Sequence, residues 1–322
     1  MPFLVFSSVE EWAAHFWDAR RTAVTVGNFD GLHLGHQKIL QSVRDRAHAT
    51  GDRGAVITFD PHPMRVLRPD RAPLMIQTLS QRLSGFEQMG LDAALVLQFD
   101  RALSLVSAEE FIGRILVRGM HSGAILVGAN FRFGHRGAGD VRLLEKIGKR
   151  DGFDVEIVSP VEVSGQIVSS TAIRSAVANG NVAGAIPLLG RPFSLTGEIC
   201  AGAGRGRTIL FPTLNLAPKQ ELLPKLGVYA TESVVGGRMY SSVTNVGTRP
   251  TFNGTGVTVE SHLFGFSEIV SGGPTEVRFH TRIRDEQKFS GPDALRDQIA
   301  RDIEAARRFF SDRTLAGHVS RD

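Results

Sequence analysis

In the first half of the chain, short runs that are apolar throughout alternate with longer stretches in which apolar residues recur every three or four positions. Thr22–Val26 is β-branched and ends in the turn residues Gly27, Asn28, Phe29, Asp30 and Gly31, after which residues 36–49 carry a helical period. Residues 55–59, 95–99 and 124–127 read as further buried strands, with helical stretches between them. Strands that are apolar on both faces need helices on both faces, and a strand–helix–strand rhythm joins parallel strands. The first half is therefore expected to be α/β, a parallel, doubly wound sheet.

Past Asn179-Gly180-Asn181 and Leu189-Gly190-Arg191-Pro192 the period changes. Strands at Phe193–Cys200, Gly227–Val235, 240–245, 257–266 and 276–283 follow one another with turn residues between, which predicts an antiparallel β-barrel. A helix over 292–310 closes it, with Leu295, Ile299, Ile303, Ala306 and Phe310 on one packing stripe and Pro292 in its first turn. A length of 322 residues exceeds what one hydrophobic core organises. The change of period puts the boundary near residue 185, giving domains 1–185 and 186–322.

Composition narrows the function classes. No apolar run approaches the roughly 20 residues that cross a bilayer, and the start has neither a basic segment nor a long apolar one, so a cytoplasmic protein with no membrane partner is expected. The single cysteine, Cys200, cannot form an internal disulfide and is expected to be a small buried residue. The net charge of +4 comes from basic residues scattered among acidic ones, which argues against a nucleic-acid partner and fits phosphate-bearing substrates. A homo-oligomer is left open.

Candidate chemistry gathers first in Gly27-Asn28-Phe29-Asp30-Gly31-Leu32-His33-Leu34-Gly35-His36. Two imidazoles three residues apart, where a turn enters a helix, can both face a phosphate chain, and Gly35 removes a side chain where a nucleotide comes close. The helix N-terminus adds unpaired N–H groups and a positive dipole end. Zinc fits less well, because no cysteine or third clustered histidine stands nearby. Further along, Ser170 or Thr171 can cap a helix running to about Ala178, with Arg174 one turn inside, so hydroxyls and a guanidinium gather at a second helix N-terminus.

The His-x-Gly-His turn resembles the signature of the nucleotidyltransferase superfamily, and the longer segment through Gln37 resembles bacterial riboflavin kinase/FAD synthetases. Three more segments agree: residues 58–63 resemble that family's flavin-side loop, 127–134 its adenine- and flavin-contacting segment, and 169–174 its second phosphate motif. The resemblance implies a Rossmann-like nucleotidyltransferase domain in which the FMN phosphate attacks the α-phosphorus of ATP in line, releasing pyrophosphate. His33 and His36 are then catalytic, while Gly27, Asn28, Phe29, Gly35, Asn130, Ser170, Thr171 and Arg174 handle ATP and its phosphates. Phe59, Asp60, Pro61, Pro63, Phe131 and Phe133 line the flavin.

In the second half, Gly202-Ala203-Gly204-Arg205-Gly206-Arg207-Thr208 falls one residue short of a P-loop, has arginine where the lysine belongs, and lacks the strand–loop–helix setting. Followed by Phe211-Pro212-Thr213-Leu214-Asn215, it resembles instead the flap and Pro-Thr-x-Asn motif of riboflavin kinases, which implies that Thr213 and Asn215 hold Mg²⁺ and ATP phosphates. Residues 245–252 and 259–263 match the same family. Val257, Val259 and Leu263 share one strand face, which leaves Glu260 and His262 on the other. The resemblance makes Glu260 the base toward the ribityl 5′-hydroxyl. Two substitutions depart from the family pattern, Leu210 beside the flap and Gly265 after Leu263 and Phe264. The whole points to an enzyme that makes FMN from riboflavin and FAD from FMN, using ATP and Mg²⁺. The alternative is a monofunctional FMN adenylyltransferase whose barrel binds flavin without phosphorylating it.

Overall fold

A computed structural model describes the chain except residues 1, 17, 19, 201–212, 252–253, 267–271 and 320–322. The chain divides into two compact units, Met1–Ser170 and Thr171–Asp322.

The first unit is built on β1 (Leu4–Phe6), β2 (Thr22–Val26), β3 (Arg53–Asp60), β4 (Ala93–Gln98), β5 (Ser122–Gly128) and β6 (Asp154–Val158). They form one sheet in the order β1-β4-β3-β2-β5-β6, every pair parallel. Successive side chains point to opposite faces, so each strand feeds two cores. Val24, Ile57, Leu95 and Ile125 pack on one side with Trp12 of α1 (Val9–His15). Ala23, Val56, Ala94 and Leu126 pack on the other with Leu40 of α2 (Leu34–Thr50). Between β3 and β4 lie α3 (Pro63–Leu67) and α4 (Leu79–Gln88), the latter placing Phe86 in the second core. After β4, α5 (Arg101–Ser104) and α6 (Ala108–Glu110) lead into a π-helical segment, Phe111–Gly119, whose Phe111, Ile112, Ile115 and Leu116 join the first core. Leu144 and Ile147 of α7 (Val141–Asp151) complete that face. This is the doubly wound sheet that the sequence predicts.

From β2 the chain winds to β3 and β4 on one side, while β5 and β6 lie on the other. The order reverses between β2 and β5, and in open α/β sheets ligands bind beyond the carboxyl ends of the strands at such a point. The segment after β2 is the His-x-Gly-His turn, and the segment after β5 begins at Ala129. A hairpin, β7 (Glu162–Val163) with β8 (Gln166–Ile167), ends the unit.

The second unit begins one residue into α8 (Ser170–Ala178), which α9 (Val182–Leu189) follows. A closed barrel follows, made of β9 (Phe193–Cys200), β10 (Leu214–Pro218), β11 (Gly227–Val235), β12 (Arg238–Thr251), β13 (Gly254–Leu263) and β14 (Pro274–Asp285). Its strands run β10-β13-β12-β11-β14-β9, all antiparallel. One parity of each strand points inward: Leu195, Leu216, Tyr229, Val246, Val259 and Phe279 are buried. Thr231, Ser233, Ser242, Thr244 and Ser261 share that interior at 0% exposure. They satisfy one another, with Thr231 Oγ1 2.6 Å from Thr244 Oγ1 and Thr244 Oγ1 2.7 Å from Ser261 Oγ, as buried hydroxyls must. On the outer face, Val228, Ala230 and Val243 pack against Ile303 and Ala306 of α10 (Pro292–Val319).

Three details differ from the sequence expectations. Cys200 is exposed, because its neighbour Ile199 takes the inward position on β9. Val257 shares the strand face of Val259 and Leu263, as expected, but is 39% exposed towards the start of that strand. Its partner on β12 is Thr248, while the pairing of β10 with β13 runs only as far as Val259. On α10, Phe309 joins Ile299, Ile303, Ala306 and Phe310 in the apolar cluster, whereas Leu295 does not. That helix also runs on to Val319.

Candidate active sites

The turn after β2 is held open by its own backbone. Phe29 (φ 51°), Gly31 (φ 91°) and Leu32 (φ 42°) are all left-handed, a conformation that costs a non-glycine residue about 1–3 kcal/mol and persists only where the surroundings enforce it. Here they do: Phe29 and Leu32 are buried, and the Asp30 carboxylate, 2% exposed, accepts hydrogen bonds from the N–H groups of Ile76 (3.1 Å) and Gln77 (3.0 Å). A Cβ on Gly27 would lie 3.1 Å from the Phe29 ring.

His33 is the N-cap of α2, and its Nδ1 accepts a hydrogen bond from the His36 N–H at 3.3 Å. In the neutral ring the proton then sits on Nε2. The two imidazoles stack with centroids 3.6 Å apart and planes inclined by 17°, and the edge of Phe29 meets His36 at 5.1 Å. A Cβ on Gly35 would stand 3.2 Å from Cε1 and Nδ1 of His33, so the glycine makes room for the histidine ring.

Across the switch point, Asn130 is exposed and Phe131 half-buried, beside a cleft of about 580 Å³ that also meets Asp140, Arg142 and Ile157. Phe131 stacks on Phe133 at 5.3 Å and 15°. Phe133 is 8% exposed, wedged between Phe111 and Gly139, so Phe131 is the more accessible ring. Phe59 meets Phe99 edge-on at 5.6 Å. Asp60 is exposed at the end of β3, Pro61 follows, and Pro63 begins α3 behind its N-cap His62.

Ser170 is the first residue of α8, and its hydroxyl donates 2.8 Å to the carbonyl of Asp30. Within α8, Ile173 and Val177 are buried, Thr171 is exposed and Arg174 is half-buried, one helical turn after Ser170. Gly180, at φ 80°, follows the helix.

In the barrel, strand register gathers the predicted residues. Asn215 of β10 pairs with Glu260 of β13, and Glu260 with Asn245 of β12. Directly paired residues have Cβ atoms about 5 Å apart. All three sit on the outward parity, since Leu214, Leu216, Val259 and Ser261 beside them are buried. Thr213, exposed, precedes β10, and His262 lies on the same face as Glu260. Gly265 takes φ 69° just past β13, a conformation that suits glycine. The glycine-rich flap, Leu210 and Phe211 lie outside the described residues. Among the described residues no group of three or more His, Cys, Asp or Glu side chains could hold a metal.

Sequence reasoning overlooks Asp30 and Asn245. In a turn, an aspartate reads as a turn residue, and the amides it clamps are 46 and 47 positions away, beyond the reach of any local period. Asn245 was open to discovery through its parity with Glu260, had the register been known.

Comparison with known proteins agrees with this geometry. The family model for FAD synthetase matches residues 15–172 and that for riboflavin kinase residues 189–310. The chain is 38% identical to the bifunctional riboflavin kinase/FMN adenylyltransferase of Escherichia coli (strain K12), over 89% of this chain and 92% of the relative. The same-named protein of Bacillus subtilis (strain 168) is 34% identical over 90% of this chain and 93% of its own. A crystal structure from Streptococcus pneumoniae, described as a macrolide-efflux protein, superimposes with a TM-score of 0.84 at 29% identity, covering 95% of this chain and 99% of that one. No helix among the described residues is long and apolar enough to cross a membrane. With both halves matched in tandem over nine-tenths of its length, the chain belongs to the bifunctional riboflavin kinase/FMN adenylyltransferase family.

Proposed function

We propose that the chain makes FAD from riboflavin in two ATP-dependent steps, with kinase residues on the barrel and adenylyl-transfer residues in 1–185. The observation that carries adenylyl transfer is the stacked His33–His36 pair on the first turn of α2, at the sheet's switch point. A helix N-terminus favours anions, and two imidazole donors beside it suit the triphosphate of ATP. An oxygen of the FMN phosphate attacks the α-phosphorus, the bond to the β-phosphate oxygen breaks, and pyrophosphate leaves. The protein positions two mutually repelling anions and stabilises the leaving charge. His33 and His36 act there with Ser170, Thr171 and Arg174, while Gly27, Asn28, Phe29 and Gly35 shape the turn. Asn130 serves ATP from the segment after β5. Phe131 forms a wall of the flavin site with Phe133 supporting it from behind, and Phe59, Asp60, Pro61 and Pro63 supply the opposite side.

On the barrel, Glu260 takes the proton of the ribityl 5′-hydroxyl as its oxygen attacks the γ-phosphorus of a second ATP, and ADP leaves. Thr213 and Asn215 are hard, uncharged oxygen donors, and Asn215 is paired with Glu260, a donor set that fits Mg²⁺ shared with phosphate oxygens. Bound there, Mg²⁺ would neutralise charge on the phosphates. We place the protein in the cytoplasm, where an exposed thiol such as Cys200 stays reduced, with neither nucleic acid nor membrane as a partner.

Purified protein incubated with riboflavin, ATP and Mg²⁺ and followed by chromatography should show FMN rising first and FAD after it. Conversion of supplied FMN alone, with riboflavin untouched, would assign the monofunctional alternative.

A further inference from the structure

Arg82 projects from α4 and is 2% exposed. Its Nη1 donates 2.9 Å to the carbonyl of Asn28, in the histidine-bearing turn, and 2.9 Å to Oγ1 of Thr58, near the end of β3. The same guanidinium reaches the carbonyl of Phe59 at 3.4 and 3.5 Å. Thr58 in turn donates through its hydroxyl to the Asn28 carbonyl at 3.3 Å. One buried cation therefore ties the phosphate-side turn to the strand end that leads into the flavin-side loop. The carbonyl it holds belongs to the residue before Phe29, where the backbone turns left-handed.

Packing alone does not call for an arginine here. Burial opposes the charge and pushes the guanidinium pKa down, with the Asp30 and Asp60 carboxylates acting against that shift. Replacing Arg82 with an apolar side chain would remove that desolvation cost but leave the Asn28 and Phe59 carbonyls without this donor. Helix α4 already presses on the turn without Arg82: Phe86 meets Phe29 at 5.7 Å, and a Cβ on Gly85 would stand 2.0 Å from Leu32 Cδ1. What the guanidinium adds is a fixed separation between two backbone segments, which a planar fork with several donors sets and a hydrocarbon cannot.

We infer that Arg82 is a positioning residue for adenylyl transfer: by holding the Asn28 and Phe59 carbonyls and the Thr58 hydroxyl, it sets the spacing of the ATP and FMN subsites for in-line attack. The inference rests on the reading of residues 1–185 as the FMN adenylyltransferase. Arg82 touches neither substrate in this account and acts through the two segments.

Single-turnover conversion of FMN to FAD, with full-length enzyme in excess and ATP and Mg²⁺ saturating, separates positioning from folding. The first-order rate constant at saturating enzyme reports geometry in correctly folded molecules, and the amplitude of FMN binding, titrated on the same preparation, reports how many there are. A misplacement of about 1 Å costs on the order of a hundredfold in rate. Arg82→Met is expected to lower the rate constant roughly 10- to 100-fold at full amplitude, with riboflavin phosphorylation unchanged. A lower melting temperature or amplitude with the rate constant within about twofold of wild type would make Arg82 merely structural and overturn the inference. If Arg82→Met does not melt cooperatively, Arg82→Lys and Thr58→Val decide. Each should slow the step at least about threefold, and two unchanged rate constants would overturn the proposal equally. Wild-type protein that makes no FAD from FMN would instead refute the underlying functional reading.

Discussion

Gly35→Ala should separate stability from activity with opposite signs. Gly35 lies in the first turn of α2, and its φ is not among the left-handed values, so alanine fits the backbone and stabilises a helical position by up to about 1 kcal/mol. The new Cβ would, however, stand 3.2 Å from two atoms of the His33 ring, where ordinary carbon contacts begin nearer 3.5 Å. The ring must yield by a few tenths of an ångström. Its Nδ1 bond to the His36 amide is already 3.3 Å long, and its stacking on His36 is close at 3.6 Å, so the displacement passes to both imidazoles. Scaling from about a hundredfold per ångström, a shift of about 0.3 Å should lower adenylylation roughly fourfold, or about 0.8 kcal/mol of transition-state stabilisation. Steady-state FAD formation from FMN, with thermal melting and riboflavin kinase activity on the same preparation, tests this. A variant that is equally or more stable and adenylylates within about twofold of wild type would show that the placement of His33 does not matter.

Arg174→Lys should slow adenylylation and spare phosphorylation, because a point ammonium does not reproduce a planar fork on phosphate oxygens; unchanged kinetics would make Arg174 an ordinary helix residue. The barrel unit should lose stability in acid through Glu232. The imidazole N–H of His280 donates to it at 2.8 Å and, against the opposing effect of burial, holds its carboxyl below the usual value of 4.5. A depressed carboxyl stabilises the fold above its unfolded pKa, and that contribution is lost as pH falls through the folded value. Melting temperature should therefore decline below about pH 4.5 less steeply in Glu232→Gln than in wild type, and parallel curves would remove Glu232 from the acid response.

The fold is legible because its strands are apolar in ways that only one covering satisfies. Val24, Ile57 and Ile125 feed one core while Ala23, Val56 and Leu126 feed the other, and this two-sided burial is what a run of β-branched and aliphatic residues reports. β1 escapes notice with three residues, and β6 because the polar residues Asp154 and Glu156 break its apolar run. β10 is missed as an element although Asn215 on it is picked out by its motif, since five residues are too few for a period. The site is legible where chemistry is local, as with two histidines at one helix start. It is not legible where contacts are distant: the clamp of Asp30 on Ile76 and Gln77, or the alignment of Asn215, Glu260 and Asn245 on three strands. Beside Gly35 the nearest neighbour of a Cβ is the His33 ring, a contact that no local spacing announces. Cys200 is misread because one position of strand parity decides between core and solvent.

The central claim is that one chain carries two separable phosphate-transfer chemistries, and the most direct measurement is the flavin product distribution of two variants against wild type. Given riboflavin, ATP and Mg²⁺, wild type should end at FAD and folded His36→Ala should accumulate FMN, since losing one preorganised donor costs about a hundredfold or more. Glu260→Gln should leave riboflavin unconverted yet turn supplied FMN into FAD at the wild-type rate, because removing a general base costs roughly 10²- to 10⁴-fold only in the step it serves. Riboflavin phosphorylation surviving in Glu260→Gln, or both steps lost together in either folded variant, would contradict the account.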